Sequence, residues 1–238
     1  MKVKLKLRPI LFVCFLATLG ASNGAAAGQA VPADYKILDI TLSPDHRYGV
    51  TVPGLDTPNP QNNLVEVETG RVLVVIRADV GYERANHNSV LPSRWAKDDS
   101  LLLWQVEGKW CDTALVLLKL QNGAVVWQLN LLEAGQQAIL ARTKQARPKK
   151  YLAAKEWNRG SGSAYPDGFT VDVVADGNEN EAPSLPLKIH VYLTSNPKSI
   201  EGQDAVNLES RLNAVVDEDG KFRVTNFHVG ATPPAPNW

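Results

Sequence analysis

The sequence predicts a mainly β fold of the α+β class: two antiparallel β repeats, one central helix, and a C-terminal antiparallel sheet packed on that helix. Three observations carry this. The region from about residue 36 to residue 130 matches itself at an offset of 53 residues. From Leu131 to about Trp157 the composition turns helix-forming, and from Phe169 onward strand-length apolar runs return between turn residues.

Composition bounds the answer first. The chain has 238 residues, 44% of them hydrophobic, with 25 Lys plus Arg against 25 Asp plus Glu, 17 Gly, 15 Pro and 2 Cys. Those figures exclude a disordered tail, a collagen-like fibre, a disulfide-stapled mini-protein and a multi-pass membrane protein. They allow one domain of about 200 residues or two smaller ones.

Residues 1–27 read as an export signal. Lys2, Lys4, Lys6 and Arg8 precede an apolar run from Ile10 to Leu19, about half the length needed to span a bilayer, and Ala25, Ala26 and Ala27 supply small residues for cleavage after Ala27. The alternative, a membrane anchor, lacks a stop-transfer extension, because Ser22, Asn23 and Gly24 end the run. Cys14 lacks the sequence context of a lipoprotein signal. Removing the segment takes away four basic residues and no acidic one, leaving 21 basic against 25 acidic residues. A secreted or periplasmic protein of that sign has no general attraction to nucleic acid, so no nucleic-acid partner is expected. Only Cys111 would then be left, so no intramolecular disulfide is possible.

The repeat region, residues 28–130, has a strand grammar written twice. Ser43-Pro44-Asp45-His46-Arg47-Tyr48 opens one copy and Ala96-Lys97-Asp98-Asp99-Ser100-Leu101 the other. Apolar stretches follow at Tyr48 to Val52 and Leu101 to Val106, then at Leu64 to Val67 and Ala114 to Leu120, and then, after Thr69-Gly70 and Asn122-Gly123, at Val72 to Ile76 and Val125 to Leu129. Asn-Gly favours a two-residue hairpin because both positions accept positive φ. Val, Leu, Ile and Trp in runs of five to seven favour strands, and the unbroken apolarity of Leu101-Leu102-Leu103-Trp104 predicts a sheet covered on both faces.

On these residues the region resembles the blades of β-propellers of the WD-repeat or Tol-associated kind. The resemblance covers about residues 36–130 and implies that each Asp-containing turn joins two inner strands of a four-stranded blade. Two blade-like units are visible and a closed ring needs at least about four. A partial ring, a sheet pair and an interface completed by another chain are therefore all open.

Residues 131–159 read as a basic helix with a break or kink at Pro148. Between Arg142 and Arg159 seven basic residues face one acid, Glu156. Gly160-Ser161-Gly162-Ser163 reads as a linker. Residues 164–230 form the C-terminal β region, with strands expected at Phe169 to Val174, Leu187 to Leu193, Leu208 to Val216 and Phe222 to Val229, the last two joined by a hairpin at Asp219-Gly220. Eleven acidic residues against three basic ones from Asp167 to Asp219 suggest that the basic helix packs on the acidic sheet by charge. Residues 231–238, with three prolines, read as an extended tail.

No catalytic or metal-binding set and no cofactor motif emerges. Cys111 lacks a local nucleophile signature, the four histidines are isolated, and phosphate loops and Gly-x-Ser-x-Gly are missing. Asp172 to Asp176 and Asp217 to Asp219 read as solvated turn acids. The loop from Asp79 to Arg94 gathers Tyr82, Arg84, Asn86 and His87, and Trp110 takes the equivalent side of the next hairpin, so these five are the candidate ligand- or partner-binding residues. The basic helix is a second candidate surface, for anionic lipid or envelope polymer. The function these features suggest is an exported, non-enzymatic binding or scaffold role for a protein or envelope polymer. The alternative is an extracytoplasmic hydrolase with dispersed carboxylates, which are recognised by distance in space.

Overall fold

The structure is a computed structural model that describes residues 30–83, 88–109, 111–157, 165–178, 181–195 and 207–230. Residues 1–27, for which an export signal is expected, Arg84, Asn86, His87, Trp110, residues 160–163 and residues 231–238 lie outside the described residues. The described chain is mainly β, with two helices and three antiparallel sheets. No helix among them is long and apolar enough to cross a membrane.

Sheet A is the meander β1 (Tyr35–Ile37), β2 (Tyr48–Pro53), β3 (Asn62–Glu66) and β4 (Arg71–Ile76). Sheet B contains β5 (Ser89–Val90) and β6 (Arg94–Trp95), both paired with β7 (Leu101–Glu107), followed by β8 (Asp112–Gln121) and β9 (Ala124–Asn130). The short β1, β5 and β6 carry too few apolar residues to be read as strands from the sequence. They form because the neighbouring long strand offers an open row of backbone groups.

The two sheets reproduce each other at the 53-residue offset down to single hydrogen bonds. Ser43 N donates to Tyr48 O at 2.8 Å, and Ala96 N donates to Leu101 O at 2.9 Å. Arg47 N donates to the Asp45 carboxylate at 2.8 Å, and Ser100 N to that of Asp98 at 3.2 Å. His46 and Asp99 take the same left-handed backbone, with φ of 61° and 57°. Val50 pairs with Leu64 as Leu103 pairs with Leu117. The copies diverge at the next hairpin. Asn122 and Gly123, with φ of 53° and 73°, make a two-residue turn, whereas Val67 to Gly70 make a longer one. Leu64 therefore faces Val74, while Leu117 faces Leu129.

Packing follows from the alternation of side chains across a strand. Leu102, Trp104, Val106, Val116 and Leu118 of sheet B join Val50, Val52, Leu64 and Ile76 of sheet A in one core. Leu103, Leu115 and Leu117 point the other way, into a second core shared with the helices and the C-terminal sheet. Sheet B is thus the covered middle layer. Tyr48 stacks on Trp95 with centroids 6.2 Å apart, and Trp95 Nε1 donates to Thr41 O at 3.0 Å, joining the two copies.

Helix α1 (Leu131–Ala146) begins where Asn130 caps it, its side chain accepting from Glu133 N at 3.1 Å. Helix α2 (Pro148–Trp157) starts on Pro148, tolerated there because an N-terminal N–H has no helical partner. Sheet C is the meander β10 (Phe169–Ala175), β11 (Leu187–Ser195), β12 (Glu209–Val216) and β13 (Phe222–Val229). Helix α1 lies across all four of its strands. Gly135 permits this approach: a Cβ there would sit 2.9 Å from Val173 Cγ2 and 3.1 Å from Val191 Cγ2.

The reason for that packing differs from the charge pairing read from the sequence. Helix α1 buries Leu131, Leu132, Gly135, Ile139 and Thr143, α2 buries Tyr151 and Ala154, and most of their cations turn to solvent. Among the described residues, the ion pair between the helices and the acidic C-terminal region is Lys155 with Asp167, at 2.6 Å. Burial of apolar surface outweighs exposed ion pairs, which contribute at most about 1 kcal/mol each.

Candidate functional site

Of the five residues picked from the sequence, Tyr82 is described. It bridges to Ser89, and its carbonyl accepts from Val90 N at 3.2 Å, which ties the loop to the edge of sheet B. On the other side, the buried Asn62 amide holds Gly81 by two hydrogen bonds, of 2.7 and 2.8 Å. Tyr82 lines a surface groove of about 360 Å³ with Asp34, Lys36, Leu55 and Glu83, and Lys36 pairs with Glu83 at 3.5 Å. With Arg84, Asn86, His87 and Trp110 outside the described residues, this groove is only a fragment of the predicted constellation.

A second arrangement forms where sheet B meets the β10 edge of sheet C. Arg94, from β6, donates through Nε to Glu181 O and through Nη2 to Asp176 O, both at 2.9 Å. This clamp fastens the β10–β11 connection to sheet B. Gly177 makes room for it, since a Cβ at that position would lie 2.7 Å from Arg94 Nη2. At the far end of the same seam, Trp127 Nε1 donates to Glu218 O at 3.1 Å, and its ring lies under Gly220 in the β12–β13 turn.

Beside the Arg94 clamp lies a cleft of about 210 Å³, lined by Leu91, Pro92, Arg94, Leu103, Gln105, Asp112 and Leu115 from the repeat region and by Val173 to Ala175 and Gly177 from β10 and the turn after it. Its lining mixes apolar side chains with three convergent polar ones, Arg94, Gln105 and Asp112. Burial raises the Asp112 carboxyl above its ordinary range. A hydrogen bond from Gln105 Nε2, at 2.9 Å, opposes the rise, and the charges of Glu107 and Asp172 add to it. Asp172, beside Val173 on β10, is raised by loss of solvent around its carboxyl although part of the residue stays exposed. It lies within a strand, which corrects the reading of it as a turn acid, while its side of the strand stays exposed.

Cys111 adjoins the same acids. Burial, then the charges of Asp112 and Asp172, push its thiol up, so it stays protonated at neutral pH and is a poor nucleophile. Among the described residues no three His, Cys, Asp or Glu side chains are grouped to hold a metal ion. The sequence placed Asp112 next to a cysteine and Asp172 in an acidic stretch, but the 60-residue gap between them hid their electrostatic coupling.

No protein-family model, curated protein or solved structure matches the chain.

Proposed function

We propose that the protein is an exported, non-enzymatic binding or scaffold protein, and that the cleft between sheets B and C receives a donor-rich or cationic segment of a protein or envelope polymer. The observation that carries this reading is Asp112, which lines the cleft with its carboxyl raised by burial, the charge of Asp172 on β10 adding to the rise. Arg94 lines the same cleft, but its guanidinium donates to the Glu181 and Asp176 carbonyls, so a ligand that brings further N–H donors or positive charge stabilises the Asp112 carboxylate. Binding of such a ligand releases protons and tightens as pH rises through the raised pKa values. The blade-like resemblance is compatible with this role, because propeller-type sheets expose faces and edges for recognition.

The test compares envelope components retained by the wild-type protein with those retained by the Asp112→Asn/Asp172→Asn variant at pH 5 and pH 8. Loss in the variant of a component that the wild type holds better at pH 8 supports the proposal; identical retention by both proteins refutes it. The same acid pair supports a second reading, a carboxylate hydrolase. Release of reducing ends or peptide fragments from envelope polymer by the wild type, and not by the variant, selects that reading.

A further inference from the structure

We propose that the elbow between α1 and α2 docks the protein, peripherally, on an anionic lipid surface. Arg142, Lys144, Arg147, Lys149 and Lys150 fall within nine residues containing no acid, and all five are exposed. None of them forms an ion pair with a described residue, although the charge of Lys144 reaches Asp167 and Arg147 and Lys150 share a groove with Glu209.

The arrangement is unfavourable within the chain itself. Like charges three or four residues apart repel, as Lys144 and Arg147 do across the elbow. Lys149 and Lys150 occupy the first turn of α2, where the helix dipole favours acids and this turn has none. An external anion reverses both effects.

Two further features point to a bilayer rather than to a soluble polyanion. Lys149, Leu152, Ala153 and Glu156 occupy the outward stripe of α2, opposite buried Tyr151 and Ala154, and Leu152 is 58% exposed. An exposed apolar side chain one turn from Lys149, with Glu156 on its other side, suits the interface between headgroups and acyl chains. Beside it, Arg147 and Lys150 overhang a groove of about 350 Å³, completed by Asn207, Leu208, Glu209 and Val229, with room for a phosphate headgroup. The excess of acidic residues outside residues 1–27 makes the attraction local, so the protein would approach an anionic surface with this elbow first.

This proposal does not depend on the cleft. The full chain is sedimented with vesicles of equal parts phosphatidylglycerol and phosphatidylcholine, and with pure phosphatidylcholine. The wild type should bind the anionic vesicles, and raised salt should release it. Each cation near such a surface strengthens binding about fivefold, so Arg147→Gln/Lys149→Gln/Lys150→Gln should lower the partition coefficient about 100-fold. Leu152→Ser should lower it about tenfold, with the charge unchanged. These are surface positions, and an unchanged circular-dichroism spectrum confirms that the variants fold. The Asp112→Asn/Asp172→Asn variant should bind vesicles as the wild type does, which separates this proposal from the cleft. Equal binding to neutral vesicles, undiminished binding by the triple variant, or binding of soluble polyphosphate without binding of anionic vesicles would each overturn it.

Discussion

Asp99→Asn should stabilise the protein at pH 8 and leave its stability unchanged at pH 3. Asp99 closes the Asp-containing turn of the second copy and meets Asp45 from the turn of the first. Burial, then the hydrogen bond to Asp45 and the Asp45 charge, with Asp98 adding, raise its pKa from 3.8 to about 6, while Arg47 pulls in the opposite direction. Burial also tends to raise Asp45, but hydrogen bonds from Ser43, Arg47 N and Asp99 hold it below its usual value. Asp99 therefore keeps its proton, donated to the Asp45 carboxylate, until the pH nears 6.

Because the folded chain binds this proton more tightly than the unfolded chain, stability is fully present below about pH 4 and declines as pH rises towards 6. A shift of about two units corresponds to about 3 kcal/mol at most, and partial exposure of the pair reduces that to about 1.5 kcal/mol. Asparagine retains a donor for Asp45, carries no charge and accepts the φ of 57° at this position. Thermal unfolding followed by circular dichroism should thus give a Tm increase of about 3 to 6 °C at pH 8. An equal shift at both pH values, or none at pH 8, would refute the shared-proton account.

Other substitutions test the packing directly. Gly135→Leu should destabilise the protein by about 2 kcal/mol or more, read by urea unfolding, because its side chain would drive α1 away from Val173 and Val191. Asn62→Leu should cost about 3 kcal/mol in the same assay, since it leaves the buried N–H and C=O of Gly81 without partners. Gly123→Val should cost about 2 kcal/mol, as a β-branched residue resists a φ of 73°; an unchanged Tm would contradict the two-residue turn.

Much of the fold was legible along the chain. The Asp turns, the Asn122-Gly123 hairpin, the strand runs of the last third and the break at Pro148 are encoded by residues at most a few positions apart, so local stereochemistry reads them out. The short strands β1, β5 and β6 were not legible, since their pairing comes from the open edge of a neighbour rather than from their own composition. The site was less legible still. Tyr82 drew notice for its neighbours in sequence, whereas Arg94, Gln105 and Asp112 have none that mark them.

Sequence by itself determined the 53-residue duplication, the order of strands and helices, and the concentration of positive charge between Arg142 and Arg159, because periodicity, turn stereochemistry and charge are properties of neighbouring residues. Tertiary structure alone decided which elements cover the two faces of sheet B, that most helical cations stay in solvent instead of pairing with the acidic sheet, and that the charge of Asp172 reaches Asp112. Those outcomes depend on which surfaces lose water when distant segments close on one another, and hydration is lost in three dimensions.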